Sequence, residues 1–288
     1  MNPRRSPLPT DVGSLPHLPP AFEARLSAGL ETLGVEITAA QRTALEDHLR
    51  LLLAWNEAIN LTAIRDPVVA ATAHVLDSLT AVPLLRTEGV DAFVDIGSGG
   101  GFPGIPLAIA LPDARALLAD SIAKKVRFLE TAVHALGLEA RVAASAGRVE
   151  TLAHRPADRA RWPAVVARAV GSLPELAELG LPLLRDGGLL VAWKRLPLDD
   201  ELAAMRHVLP GLGGSQPQLN QVIVDGLGGH VLVVVRKLHP TPPGYPRDPR
   251  VRKLRPGALM SAAGKARSDG RAGAHRHGCG RAFAQDRT

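Results

Sequence analysis

The stretch Phe93-Val94-Asp95-Ile96-Gly97-Ser98-Gly99-Gly100-Gly101-Phe102-Pro103-Gly104-Ile105-Pro106 decides how the rest of the chain is read. A short apolar run ends in an acid and then breaks into five glycines within eight residues. Glycines allow positive φ angles and let the backbone approach a ligand with no Cβ in the way. Pro103 and Pro106 suit the first turn of a helix, where a missing N–H costs little. A strand, a glycine turn and a helix start in that order open a doubly wound α/β domain, which binds its ligand at the carboxyl ends of the strands.

Two patterns overlap in this loop. Gly99, Gly101 and Gly104 fit G-x-G-x-x-G, the dinucleotide fingerprint, whereas Asp95, Gly97, Gly99 and Gly101 fit D-x-G-x-G-x-G, the first motif of S-adenosylmethionine (AdoMet) methyltransferases. The second is favoured, because Gly97 follows the strand directly and Asp95 stands at its end, where an acid can orient the loop or meet a ligand amino group. The plain alternative is a glycine turn with no ligand.

Outward from the loop, strands and helices alternate, which marks a parallel sheet. Strands are expected at Phe93–Ile96, Ala116–Ala119, about Ala140–Ala144, Pro163–Ala167 and Leu189–Trp193. Helices are expected around Val126–Leu136, at Leu173–Leu184 and about Leu198–Val208. Gln221–Val224 and His230–Arg236 read as a closing hairpin, so an antiparallel strand joins the sheet, as is typical of AdoMet methyltransferases. The fold class expected is therefore a Rossmann-like, class I AdoMet-dependent methyltransferase. Before it, residues 21–90 read as helical: Ala21–Leu33 ends at Gly34, and Thr38 caps Ala39–Ile59, whose Leu45, Leu49, Leu52 and Leu53 recur at helical spacing. In that region Asn60, His74, Asp77 and Ser78 sit among apolar neighbours. They could face the ligand crevice, or they could simply satisfy nearby backbone groups.

Composition bounds the remainder. The chain has 288 residues, 46% of them hydrophobic, with a formal charge of +6. Residues 236–288 hold 13 Lys and Arg against 3 acids, so the basicity belongs to the tail. Such a tail can add affinity for nucleic-acid phosphates or be a solvated extension. Residues 1–20, with six prolines, read as a disordered segment; 91–240 read as the methyltransferase domain and 241–288 as a basic, largely disordered tail. The lone cysteine, Cys279, leaves no disulfide framework and no cysteine metal site. No apolar run reaches the roughly 18 residues of a membrane span, and Met1–Pro20 is not a secretory signal, so a cytoplasmic protein is expected.

Several positions bear chemistry. Asp120 follows the second strand, where an acid can accept bonds from ribose hydroxyls of either AdoMet or NAD; it could also merely cap the next helix. Ala146-Gly147-Arg148-Val149-Glu150 is placed to meet an adenine ring. Arg168 ends the fourth strand, where methyl donor and acceptor would meet, and a buried Arg is costly unless paired. A covalent adduct mechanism for pyrimidine carbon lacks its cysteine nucleophile, because Cys279 is in the tail. The Asn/Asp-Pro-Pro-aromatic motif of exocyclic-amine methyltransferases is replaced by Ala167-Arg168-Ala169-Val170. The chemistry left is attack by a group that is already nucleophilic, such as purine N7, which has no proton to lose.

The residues Asn56-Glu57-Ala58-Ile59-Asn60-Leu61-Thr62, His74-Val75-Leu76-Asp77-Ser78, Asp95 to Pro106, Asp120-Ser121 with Lys124 to Leu129, Arg148-Val149-Glu150 and Arg168-Ala169 closely resemble the bacterial glucose-inhibited division protein B family. The likeness runs from about residue 40 to 255, with Tyr245-Pro246-Arg247 resembling the family's C-terminal end. It leaves out Met1 to about Pro20 and the tail after about Leu254.

The resemblance implies methylation of guanine N7 in 16S ribosomal RNA, with AdoMet contacts at Gly97, Phe102, Val149, Glu150 and Arg168. It also implies front helices packed on the catalytic domain. Asp120 joins this set from the ribose argument, and Asp95, Gly99 and Gly101 from the loop motif. Arg168 is the expected catalytic residue, and no metal is expected. For RNA phosphates the candidates are Lys124, Lys125, Arg127 and Lys194. The expected partner is 16S ribosomal RNA or the small subunit, bound by a monomer. The other readings are a small-molecule or other-RNA methyltransferase, an NAD-dependent oxidoreductase, and a catalytically silent RNA-binding module.

Overall fold

The computed structural model describes residues 8–254. Expectations for residues 1–7 and 255–288, Cys279 included, fall outside the described residues. The helical front consists of α1 (Pro20–Leu33), α2 (Ala39–Ile59), α3 (Pro67–Ala70), a π-helical stretch (Ala71–Leu76), α4 (Asp77–Leu79) and α5 (Val82–Thr87). Thr38 starts α2 with a reciprocal cap: its side chain accepts from Gln41 N at 3.2 Å, and the Gln41 side chain accepts from Thr38 N at 2.7 Å.

The alternating part runs β1 (Ala92–Ile96), α6 (Gly104–Ala110), β2 (Arg115–Asp120), α7 (Ala123–Ala135), β3 (Val142–Ala146), α8 (Val149–His154), β4 (Trp162–Arg168), α9 (Leu173–Gly180), β5 (Leu184–Arg195), α10 (Asp199–Leu212), β6 (Gln218–Gln221) and β7 (His230–Arg236). A last helix, α11, spans Pro249–Leu254.

The strands form one sheet in the order β3-β2-β1-β4-β5-β7-β6, parallel from β3 to β5, with β7 antiparallel to both neighbours. The antiparallel member expected from the sequence is therefore β7. Its partner β6 lies at Gln218–Gln221, earlier than the expected Gln221–Val224, and a loop rather than a tight hairpin joins the two. The apolar residues Val222, Ile223 and Val224 suggested strand, but they belong to this connection, where Leu227 N and His230 N turn back onto Val224 O and Leu227 O. α9 also ends early, at Gly180: Pro182 has no N–H to continue the helical ladder, and Leu183 N turns onto Gly180 O at 3.0 Å before β5 begins.

Alternate residues of each strand enter two apolar layers, as the period of two requires. Phe93, Ala116, Leu118, Ala164, Val166, Val191 and Val234 pack with the front helices, α6 and α7. Val94, Ile96, Val165, Ala167, Leu190, Val233 and Val235 pack against α8, α9 and α10. The front helices thus share one core with the sheet. The helical run Pro67–Thr87 is long and apolar enough to cross a membrane by length and composition, and 56% of its most apolar window is buried inside the fold.

Within the described residues, parts of the two segments read as disordered are bonded to the core. Residues 8–19 are strapped to α2: Arg50 donates to Val12 O (3.0 Å), to Pro16 O (2.9 Å) and to Leu15 O, and Trp55 Nε1 donates to Pro9 O at 2.7 Å. Prolines leave the carbonyls of this segment without local partners, and the buried Arg50 and Trp55 supply donors for them. Residues 241–254 fold back as well. Arg247 forms a buried ion pair with Glu178 of α9 at 2.6 Å, and Arg252 meets Glu150 at 2.7 Å.

Candidate active site

The loop after β1 is held at both ends. Gly97 N and Ser98 N donate to Ala119 O of β2 (2.8 and 3.1 Å), and Asp95 Oδ2 accepts from Gly104 N at 3.0 Å. Gly97 has φ +76° and a Cβ there would lie 2.3 Å from Val170 Cγ2, so the loops after β1 and β4 touch at a point that only glycine fits. Asp120 supports the middle of the loop: its Oδ2 accepts from Gly99 N at 3.0 Å and its Oδ1 from Ile122 N at 2.8 Å. Each oxygen keeps acceptor capacity for a ligand hydroxyl. Asp95 is fully buried, its Oδ1 lacks a hydrogen-bond partner among the described residues, and burial pushes its carboxyl up to about 7. A buried acceptor left open at the end of a strand is where a ligand donor is needed.

Phe102 leaves the loop toward the helical front and becomes the centre of a stack. His48 of α2 lies 4.6 Å from its ring, and His74 of the π-helical stretch stacks on it at 4.8 Å and 21°. The Arg168 guanidinium stands 5.3 Å from the ring centroid. Arg168 Nη1 donates to Ala73 O at 3.0 Å and to Asp77 Oδ2 at 2.9 Å, while Nη2 faces His74 Nδ1 at 3.3 Å. Asp77 Oδ1 meets His230 Nδ1 of β7 at 3.0 Å, and the Asp77 backbone O accepts from Trp193 Nε1 of β5 at 2.7 Å. π-Helical turns are found frequently at functional sites, and here the wider turn exposes Ala73 O to the guanidinium. Burial pushes His48 down to about 3, and burial together with Arg168 pushes His74 down to about 4, so both rings are neutral at pH 7. The His48 Nε2–H donates to Gly100 O at 2.9 Å, pinning the crest of the glycine loop to α2.

A glycine cradle with an acid below it on each of two adjacent strands offers bare backbone and carboxylate acceptors to a nucleoside. The strand order with β7 antiparallel is the sheet expected from the sequence. Residues 41–222 match the family model described as rRNA small subunit methyltransferase G. The chain belongs to this family. It is 40% identical over 222 residues to the ribosomal RNA small subunit methyltransferase G of Halalkalibacterium halodurans, covering 76% of this chain and 92% of that one. It is 41% identical over 234 residues to that of Deinococcus deserti, covering 80% and 94%. Among solved structures, the O-methyltransferase from Bacillus cereus in complex with SAH superposes with a TM-score of 0.52 at 16% identity, over 75% of this chain and 100% of the other, a likeness of fold.

In this member of the methyltransferase G family, Asp95, Gly97, Gly99, Gly101, Phe102, Asp120 and Arg168 come together at the carboxyl ends of β1, β2 and β4. Val149 and Glu150 begin α8, one strand further out, after Gly147 N has bonded to Asp120 O at 3.0 Å. The Glu150 carboxylate is not open, since Arg252 occupies Oε1, so its expected ligand contact falls to Oε2 or to the backbone. Lys124 and Arg127 are exposed on α7, and Lys125 Nζ would lie 3.9 Å from a Cβ on Gly99. Lys194 departs from expectation: its Nζ is tied to Glu201 Oε2 (2.7 Å) and Gly171 O (3.0 Å), which leaves little free charge for a phosphate.

Of the polar front residues, His74 and Asp77 face the crevice. Asn60 ends α2 with φ +48°, and Ser78 Oγ bonds back to His74 O at 2.5 Å. Sequence reasoning missed His48, Thr62 and His230. Thr62 Oγ1 meets His74 Nε2 at 2.7 Å, and Asn56 Oδ1 holds Thr62 N at 2.9 Å. The quoted Asn56–Thr62 motif was the available signal for Thr62. His48 lies on the apolar face of α2 and His230 at the start of a strand, where nothing local distinguishes them.

Proposed function

We propose that this protein transfers the methyl group of AdoMet to N7 of a guanine in 16S ribosomal RNA. The observation that supports this reading is the setting of Arg168: a charge balanced by Asp77, laid against Phe102, flanked by neutral histidines, in a chain of the methyltransferase G family. Bound AdoMet supplies an electrophilic methyl on a sulfonium sulfur. Asp120 is placed to accept from ribose hydroxyls, Gly97, Gly99 and Gly101 leave the backbone bare, and Val149 with Glu150 flanks the adenine side. The orphaned Asp95 Oδ1 and the glycine cradle fit such a ligand.

N7 of guanine carries an in-plane lone pair and no proton, so the residues here need to orient the base rather than to remove a proton from it. The product ring is cationic. Neutral His48 and His74 add no charge to oppose it, and the Arg168 cation is offset by Asp77. Arg168 is the residue we assign to contact the reacting groups. The acceptor guanine must be unstacked to reach this crevice, which fits RNA recognition through exposed bases.

The same reading takes the protein as a cytoplasmic monomer with residues 21–90 and 91–240 as its helical and catalytic parts. The short edge strand β6 is exposed throughout and mostly polar, a poor surface for pairing with a second sheet. The experiment is methyl transfer from labelled AdoMet to 16S ribosomal RNA and to small subunits from cells lacking the protein. Label in the RNA supports the reading; label only in small molecules, or none on either substrate, contradicts it.

A further inference from the structure

With Lys194 neutralised, the basic surface beside the crevice must be sought elsewhere. A cleft of about 630 Å³ opens between α8 and the folded-back C-terminal segment, lined by Arg148, His154, Arg247 and Arg250 among others. Its walls are fixed by buried ion pairs: Arg247 with Glu178 (2.6 Å) on one side, Arg252 with Glu150 (2.7 Å) on the other. These pairs cancel the acids of the walls. Arg148 and Arg250 remain exposed at the mouth. No hydrogen bond or ion pair engages either guanidinium among the described residues. Asp248 is the remaining acid there, and its Oδ1 accepts from Arg250 N at 2.8 Å. His154 Nε2 is turned to Pro246 O at 3.0 Å and takes no part.

Arg148 sits immediately after β3, and Gly147 N bonds to Asp120 O at 3.0 Å, so this cleft adjoins the end of β2. There Lys124 and Arg127 stand exposed on α7, four and seven positions past Asp120. Arg148 and Arg250 line the cleft beside α8, and Lys124 and Arg127 add exposed charge on α7, past the end of β2. Past residue 254 the sequence adds seven Lys and Arg against two Asp. Exposed guanidinium groups without acidic partners bind phosphate oxygens in forked pairs.

We infer that the C-terminal segment, clamped on Glu178 and Glu150, completes a phosphate-binding track in which Arg148 and Arg250 grip the RNA backbone beside the AdoMet crevice. The track contacts phosphates and sets the position of the RNA without reading bases. It rests on the proposed RNA methyl transfer for its partner, and it is tested separately from that transfer.

The test uses the full chain and a 16S ribosomal RNA transcript, with binding measured over a salt series. Each phosphate contact contributes about 0.7 to 0.9 to the slope of log K against log salt, so Arg148→Gln with Arg250→Gln is expected to reduce the slope by about 1.4 to 1.8. The circular dichroism spectrum and the melting temperature should be unchanged, which reports that the variant is folded. Arg148→Lys with Arg250→Lys should recover most of the slope. An unchanged slope in the glutamine variant overturns the inference, even if the wild type methylates the RNA. A wild type that binds RNA with the full slope and transfers no methyl group contradicts the methyltransferase reading and leaves the track standing.

Discussion

At Arg168 a guanidinium whose side chain is only 14% exposed sends Nη1 to Ala73 O and Asp77 and turns Nη2 to His74. A lysine keeps the charge but not this fork, because its single ammonium cannot serve the three partners in one plane. We predict that Arg168→Lys lowers methyl transfer by about 10²-fold, the usual cost of a small misplacement at a reacting centre. Asp77→Ala acts on stability as well, since it strands the partly buried Arg168 and His230; urea unfolding should report a loss of about 3 kcal/mol.

Asp95 gives a pH signature. Its carboxyl is raised from 3.8 to about 7 by burial, so between those values the folded state holds a proton that the unfolded state has lost, and the group costs stability as pH rises through that window. Asp95→Asn removes this titration. Its stability advantage over the wild type should grow from about pH 4 to about pH 7 and then level off, while AdoMet affinity falls. Melting temperatures across that range check the first part and calorimetry the second.

Among the elements, the glycine loop is the one whose sequence pattern and structure agree most closely. The motif marks Gly97 as bare, and the structure supplies the reason in Val170, 2.3 Å from where its Cβ would be. Gly97→Ala must also adopt φ +76°, so it should lower stability by about 1 to 3 kcal/mol and weaken AdoMet binding together, as thermal unfolding with and without S-adenosylhomocysteine would show. The long helix α2 and the strand β7 were equally legible, because α2 carries a helical period after a clear cap and β7 an unbroken apolar run over residues 231–235. β6 was not. Its residues Gln218 to Gln221 are all exposed, so no burial pattern marks them, and the neighbouring Val222-Ile223-Val224 drew the expectation onto the loop. His48 and His230 were hidden for another reason: a histidine is recruited to a site by residues distant in sequence, here Gly100 at 52 positions and Asp77 at 153.

For the whole molecule, both chain ends of the described region fold onto the core rather than trailing from it. Composition misleads there, since proline and arginine suggest a solvated chain unless buried partners exist for them. Glu178 and Arg50 are those partners, each buried on a helix whose pattern alone does not announce an ion pair or a strap. Arg247→Ala leaves Glu178, 4% exposed, without its counter-charge, and should cost about 3 to 5 kcal/mol in urea unfolding. A change within about 0.5 kcal/mol would mean that the segment is not held by this pair.

The central claim is the atom that receives the methyl group. Label from AdoMet can be placed by incubating 16S ribosomal RNA with the protein, reducing the product with borohydride and cleaving with aniline, which breaks the chain where guanine carries a methyl at N7. The account predicts a single strong cleavage that depends on the protein and on AdoMet. Label incorporated into the RNA without any such cleavage would contradict it.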